Sequence, residues 1–177
     1  MTRRAQVQQV FVYLSAILVI GFVVLFGYRM VDKILDQQCE VSEHSFMGSL
    51  EDAIDRNVHA QSVTDVAVPA PCKYQQLCFV DARVVEGSST FNNIDNSLKA
   101  TNAVMWGNAM DDIEWNVYLL IPGKETKPIM FDDRITTTEK PIGTAEKAHL
   151  CINASLGEFV FWVKGKGDGV YLYADER

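Results

Sequence analysis

The chain has 177 residues, a formal net charge of -7 and a hydrophobic fraction of 48%. A chain of this length holds one ordinary domain and an appendage. The acidic balance argues against a nucleic-acid partner, because nucleic-acid-binding modules present a basic face. The apolar content excludes a chain that is disordered throughout.

The first element is an apolar stretch, Ala5–Tyr28, that carries no formal charge. As a helix it reaches roughly 36 Å at about 1.5 Å per residue, which exceeds the roughly 30 Å of a bilayer's hydrocarbon core. It is longer than the apolar part of a cleavable secretory signal, and no small-x-small cleavage site follows it. We predict one membrane-spanning helix, with the lipid bilayer as its partner.

Helical character continues beyond the apolar stretch. Arg29–Gln38 contains good helix formers and neither Gly nor Pro. Its apolar residues recur at i, i+3 and i+4, which predicts an amphipathic extension of the helix. Residues 1–38 are therefore expected to form the membrane helix with this extension, and residues 39–177 a separate domain outside the membrane.

The pattern of residues 39–177 predicts a small α+β domain. Phe46–His59 has the spacing of one short amphipathic helix, with Ser45 as its N-cap. Ser88–Asn108 is rich in Ser, Asn and Thr, so it is expected to be a long connection with one helical turn around Asn96–Ala100. Alternating or β-rich runs predict the following strands: Val63–Val68, Leu77–Ala82, Glu114–Ile121, Pro128–Phe131, His149–Asn153, Glu158–Lys164 and Gly169–Ala174. We expect an antiparallel sheet or a small sandwich.

All four cysteines follow the apolar stretch: Cys39, Cys72, Cys78 and Cys151. An even number confined to one side of a membrane helix predicts two disulfides in an oxidising compartment, with reduced, buried cysteines as the alternative. The pairing Cys72–Cys78 with Cys39–Cys151 is favoured, because the first two flank a predicted bend. Cys78–Cys151 stays open, because both residues lie in predicted strands.

The orientation of the membrane helix depends on these cysteines. Arg3 and Arg4 precede the helix, and Arg29 and Lys33 follow it, so the positive-inside rule is nearly balanced. Asn153 begins an N-x-S sequon and is a candidate glycosylation site. The cysteines and the sequon favour a cytoplasmic N-terminus and an external C-terminal domain.

No reaction is indicated by the motifs. Gly165–Gly169 is Gly-rich but lacks the spacing of a phosphate-binding loop, so a hairpin turn is predicted. His44, His59 and His149 are scattered, which favours neither a nucleophile–histidine set nor a zinc site with close cysteine pairs. We assign no catalytic residue, no cofactor and no metal, and we expect a protein that is not an enzyme.

Acidic pairs are the one candidate for a hard cation such as calcium. They are Asp111 and Asp112 with Glu114, and Asp132 with Asp133. A solvated loop is the preferred interpretation of both groups. The tryptophans are a second candidate ligand surface, with burial preferred: Trp106, Trp115 and Trp162.

The N-terminus, with Arg3, Arg4, Ala5 and Gln6 before a long apolar helix, resembles the N-termini of archaeal type IV pilin-like proteins. The resemblance implies cleavage between Ala5 and Gln6 by a prepilin-type peptidase. It also implies that the helix serves as anchor or filament core, with copies of itself or other pilin-like subunits as partners. Many pilins carry Glu five residues after the cut, where this chain has Val10. The remainder is similar to uncharacterised membrane-anchored archaeal proteins.

These observations predict a non-enzymatic, single-pass membrane protein that displays an acidic, disulfide-stapled β-domain outside the cell. A pilin-like filament subunit is the sharper form of this hypothesis. The alternative is a membrane-anchored module of the cell envelope that binds a ligand or calcium.

Overall fold

The computed structural model describes residues 3–85, 98–100, 102–111, 113–137 and 148–174. The chain divides into two compact units, Met1–Val41 and Ser42–Arg177. The second unit is called the head below. The described elements are α1 (Arg3–Asn57), β1 (Val63–Pro69), β2 (Gln76–Val80), α2 (Ala82–Val85), α3 (Ala103–Met110), β3 (Val117–Ile121), β4 (Glu125–Met130), β5 (Ile135–Thr136), β6 (His149–Asn153), β7 (Glu158–Gly165) and β8 (Val170–Tyr173).

Helix α1 is continuous over 55 residues. The helical extension predicted for Arg29–Gln38 is confirmed. The prediction that a new helix begins at Phe46 with Ser45 as its N-cap is wrong, since Ser45 lies inside α1. The physical reason is that residues 39–45 contain neither Gly nor Pro, so nothing in the sequence ends the helix there.

Two four-stranded sheets form the head. Sheet A has the order β1-β7-β8-β5, and sheet B has the order β4-β3-β2-β6. Every pairing is antiparallel except β5 with β8. The predicted α+β class with an antiparallel sandwich is therefore confirmed for the described residues. The sequence pattern missed β5, because two residues are too few to show an alternation.

The inner faces of the two sheets meet in one apolar core. The ring of Phe79 in sheet B packs edge-to-face on Phe161 in sheet A, with centroids 5.5 Å apart. Such aromatic pairs add to the stability gained from burial alone. The outer face of sheet B carries a second cluster, in which Met105 and Ala109 of α3 pack against Tyr118.

The last turns of α1 belong to the core of the head. Phe46, Leu50 and Ile54 are at most 2% exposed. Phe46 packs edge-to-face on Phe159 of β7, with ring centroids 5.9 Å apart. The apolar face predicted for this part of the chain is confirmed. Each such side chain contributes about 1.5–3 kcal/mol by leaving water.

Helix α3 corrects the prediction of a long connection over Ser88–Asn108. The helix begins after Asn102, whose side-chain oxygen accepts from the backbone amides of Val104 and Met105. This N-cap satisfies amides that have no partner inside the helix. The turn predicted at Asn96–Ala100 lies partly outside the described residues, and its last three residues are helical.

Two buried tyrosines have perturbed acidities. Burial raises the pKa of Tyr118, whose hydroxyl donates to the carbonyl oxygen of Trp115 at 2.8 Å. Burial also raises the pKa of Tyr74, and the charges of Glu43 and Glu125 raise it further. Both phenols therefore hold their protons to higher pH in the folded head than in the unfolded chain.

We expect the head to lose stability in alkali. Unfolded tyrosine loses its proton near pH 10. The contribution of Tyr74 and Tyr118 is therefore fully present below about pH 10 and is lost as the pH rises toward their folded-state pKa values. Guanidinium unfolding at about pH 8 and about pH 11 measures this loss. Tyr118→Phe should make the loss smaller, and an equal loss in both proteins would contradict the assignment.

Candidate functional site

Two buried carboxylates end strands of sheet B in the same way. Asp81 follows β2 and accepts from Arg83, with Nε at 2.8 Å, Nη2 at 2.7 Å and the backbone amide at 3.1 Å. Asp132 follows β4 and accepts the same three bonds from Arg134, at 2.9, 2.8 and 3.0 Å. Bidentate pairs of this kind are the stronger charge-assisted hydrogen bonds. The hydrogen bonds to these carboxylates raise the pKa of both arginines.

The pairs Asp81–Arg83 and Asp132–Arg134 are called the Asp-x-Arg clamps. Asn116, just before β3, bonds to residues of both chain segments. Its side-chain amide donates to the carbonyl oxygen of Asp132 at 2.7 Å and accepts from the Asp132 amide at 2.9 Å. Its own carbonyl oxygen accepts from Val80 at 2.8 Å. Because a buried polar group without a partner is costly, this closed network stabilises the end of sheet B.

One of the clamps includes Asp132, which belongs to an acidic pair that the sequence analysis considered as a cation ligand. Asp132 is 6% exposed and held by Arg134, so the solvated-loop interpretation is wrong for Asp132, while Asp133 is exposed. Asp111 is exposed, and Asp112 lies outside the described residues. In the described part of the chain, no group of three or more His, Cys, Asp or Glu side chains has the arrangement of a metal site.

The disulfides follow the sheet register. Cys78 of β2 lies directly opposite Cys151 of β6, and the two are bonded, with Cα atoms 4.1 Å apart. Cys39 and Cys72 are also disulfide-bonded, so the prediction of two disulfides is confirmed. The favoured pairing of Cys72 with Cys78 and of Cys39 with Cys151 is wrong, because Cys78 and Cys151 are bonded to each other. Cys72 lies in a turn before β2, whereas Cys78 lies in the middle of that strand and faces its neighbour on β6.

The tryptophans do not form one platform. Trp106 and Trp115 pack on the cluster outside sheet B, whereas Trp162 lies on the outer face of sheet A. All three are half-buried. The hairpin turn predicted at Gly165–Gly169 is confirmed, since it joins β7 to β8 and the Lys166 amide donates to the Gly169 carbonyl.

The two modification candidates lie at opposite ends of the chain. Ala5 and Gln6 lie in the first turns of α1. Asn153 ends β6 and is exposed, and its side-chain oxygen accepts from Gln76 Nε2 at 3.2 Å. Cleavage at the first position and glycosylation at the second stay predictions.

A groove beside β1 is a feature that the sequence did not indicate. β1 is the outermost strand of sheet A. Between this strand and the end of α1 lies a groove of about 360 Å³. It is called the β1 groove and is lined by Ala53, Arg56, Asn57, Thr64, Asp65, Val66 and Ala67. Finding it requires the strand order, which no sequence pattern specifies.

The other distinctive surface is the apolar part of α1. One helix of the described chain is long and apolar enough to cross a membrane, with a mean hydropathy of 2.4 over its best window and none of that window buried. No family model matches this chain. Neither does any curated protein or solved structure. With the disulfides, the exposed apolar helix indicates a membrane-anchored protein whose head folds in an oxidising compartment.

Proposed function

We propose that this chain is a non-enzymatic, single-pass membrane protein that presents its head outside the cell as a pilin-like subunit. The observation that carries the proposal is the composition of α1. Its first half is apolar, and side chains such as Phe11 and Ile17 are about 70% exposed. A helix that is apolar on all sides needs lipid or other helices around it.

The end of α1 supports the display of the head. Leu50 and Ile54 are fully buried, so the helix that carries the apolar segment also supplies part of the core of the head. A domain folded around the last turns of a membrane helix is held at the membrane by that helix, so its outer surface is available to partners outside the cell. The apolar half of α1 can pack with the same half of other copies, which is how a filament core would form.

The topology of the proposal follows from redox chemistry. Disulfides persist in oxidising compartments and are rare in the cytosol. Cys78–Cys151 lies within sheet B, and Cys39 and Cys72 are disulfide-bonded as well. We therefore assign the head to the outside and the N-terminus to the cytoplasm, with cleavage between Ala5 and Gln6 on the cytoplasmic side.

The N-terminal residue of the mature protein tests the pilin-like part. It is measured by mass spectrometry of the N-terminal peptide from native host membranes. We expect a start at Gln6, which supports prepilin-type processing. A start at Met1 or Thr2 would overturn the pilin-like assignment and leave a permanent anchor.

Membrane fractionation tests the anchor separately. We expect the chain to stay in the pellet after alkaline carbonate extraction, and the head to be cut by protease added to intact cells. Release into the supernatant would overturn the anchor, and a head protected in intact cells would overturn the orientation.

A further inference from the structure

We propose that the β1 groove binds an extended peptide segment of a partner protein, which adds a strand to the free edge of β1. The segment carries an acidic residue next to a basic one. The inference goes beyond the display function proposed above and does not depend on it, because every residue it uses lies in the head.

The edge of β1 is regular and open. Its seven residues pair with β7 without a break in register, from Val63 opposite Lys164 to Pro69 opposite Glu158. Among the described residues, β1 makes no backbone hydrogen bond to any strand except β7. An open edge presents amide and carbonyl groups that another strand satisfies in full.

Two of the three other sheet edges are protected, and the third edge strand, β6, has five residues against the seven of β1. The edge strand β4 contains Pro128 and has an irregular register next to Val117. The edge strand β5 has only two residues. Proline, irregular pairing and short length are the usual means by which proteins keep strands from adding to an edge.

The helix beside the edge gives the site its second wall. Ala53, Arg56 and Asn57 of α1 line the groove on the inner side of sheet A. Val66 points to this side and packs against the core, while Asp65 alternates to the outer face. A groove between an edge strand and a helix holds an added strand by its backbone on one side and by its side chains on the other.

The charges of Arg56 and Asp65, which line the groove, determine which side chains of the bound segment are favoured. Arg56 is exposed, and its Nε donates to the carbonyl oxygen of Asp52 at 3.0 Å. Among the described residues, neither Arg56 nor Asp65 has an ion-pair partner. Consecutive residues of a strand point to opposite faces. An adjacent acidic and basic residue therefore places a carboxylate at Arg56 and a cation at Asp65 at the same time.

A second copy of this chain fits the edge less well. A second β1 strand, Val63–Pro69, carries an acidic residue but no basic one, so it offers no cation to Asp65.

Binding of a synthetic peptide to the full chain in nanodiscs tests the proposal. The probe is a fluorescent, end-blocked hexapeptide of sequence TVEKVT, and the readout is fluorescence anisotropy at low salt. We expect saturable binding that weakens about threefold when Gln replaces Glu in the peptide, or in the Arg56→Gln protein. Lys124→Gln removes an exposed cation from the β3–β4 turn and should leave the affinity unchanged.

Two N-methylated peptides separate strand addition from simple charge attraction. Each carries methyl groups on alternate amides, in the two possible phases. An added strand directs only alternate amides toward β1, so one peptide should lose binding and the other should keep it. Equal binding of both peptides, equal binding by Arg56→Gln, or no binding at millimolar peptide would each overturn the proposal. None of these results bears on membrane anchoring, which fractionation decides.

Discussion

Gly165→Ala is expected to destabilise the head more than an alanine at any other glycine for which the contacts of an added Cβ atom are known. A Cβ atom at this position would lie 2.1 Å from the carbonyl oxygen of Asn57, 2.4 Å from that of Ala60 and 2.5 Å from that of Val58. All three are backbone atoms just where α1 ends, so no side chain can rotate to make room. The chain must separate α1 from β7 or distort both, which we expect to cost about 3 kcal/mol or more.

Guanidinium unfolding of the full chain in detergent, followed by tryptophan fluorescence, measures this effect. Gly107→Ala is the matched control, because Gly107 lies inside α3 and a Cβ there meets nothing within 4 Å. Alanine in place of a helical glycine stabilises by roughly 0.5–1 kcal/mol. The two variants should therefore move the unfolding midpoint in opposite directions. A Gly165→Ala protein as stable as the parent would show that α1 does not end against β7.

The sequence predicts those parts of the fold that depend on local pattern. The apolar stretch, its helical extension and most of the strands have a period that a single segment displays. Helix α3 was missed because the Ser-, Asn- and Thr-rich run before it, and Gly107 inside it, are typical of a connection. Three strands, β2, β4 and β8, were predicted to end one or two residues too late. Asp81 was included in a strand, but β2 ends at Val80 and the Asp81 carboxylate accepts from the backbone amide of Arg83.

The candidate site depends on long-range order, which explains why the sequence did not reveal it. The β1 groove exists because β1 takes an edge position and α1 ends beside it. Neither fact has a signature within Thr64–Ala67 or around Arg56. The disulfide pairing has the same cause. Cys78 and Cys151 meet through the register of β2 with β6, whereas the sequence showed only that Cys72 was nearer.

Asp81→Ala is expected to have the second large effect on stability. The Asp81 carboxylate is fully buried and accepts from the side chain and amide of Arg83 and from the amide of Thr137. Removing it takes away the acceptor of these hydrogen bonds at a position where the carboxylate itself is fully buried. Breaking a buried pair costs about 3–5 kcal/mol. We expect about 2–3 kcal/mol here, because the Arg83 side chain is 36% exposed and water partly replaces the lost partner.

Asp133→Ala is the matched control for this measurement, because Asp133 is an exposed aspartate in the second Asp-x-Arg segment. Its removal should change the free energy of unfolding by no more than about 0.5 kcal/mol. Asp81→Asn tests the role of the charge, since an amide keeps the size of the side chain but offers one acceptor oxygen instead of two. It should fall between the parent and Asp81→Ala. If Asp81→Ala and Asp133→Ala unfold at the same guanidinium concentration, the clamp at the end of β2 does not stabilise the sandwich.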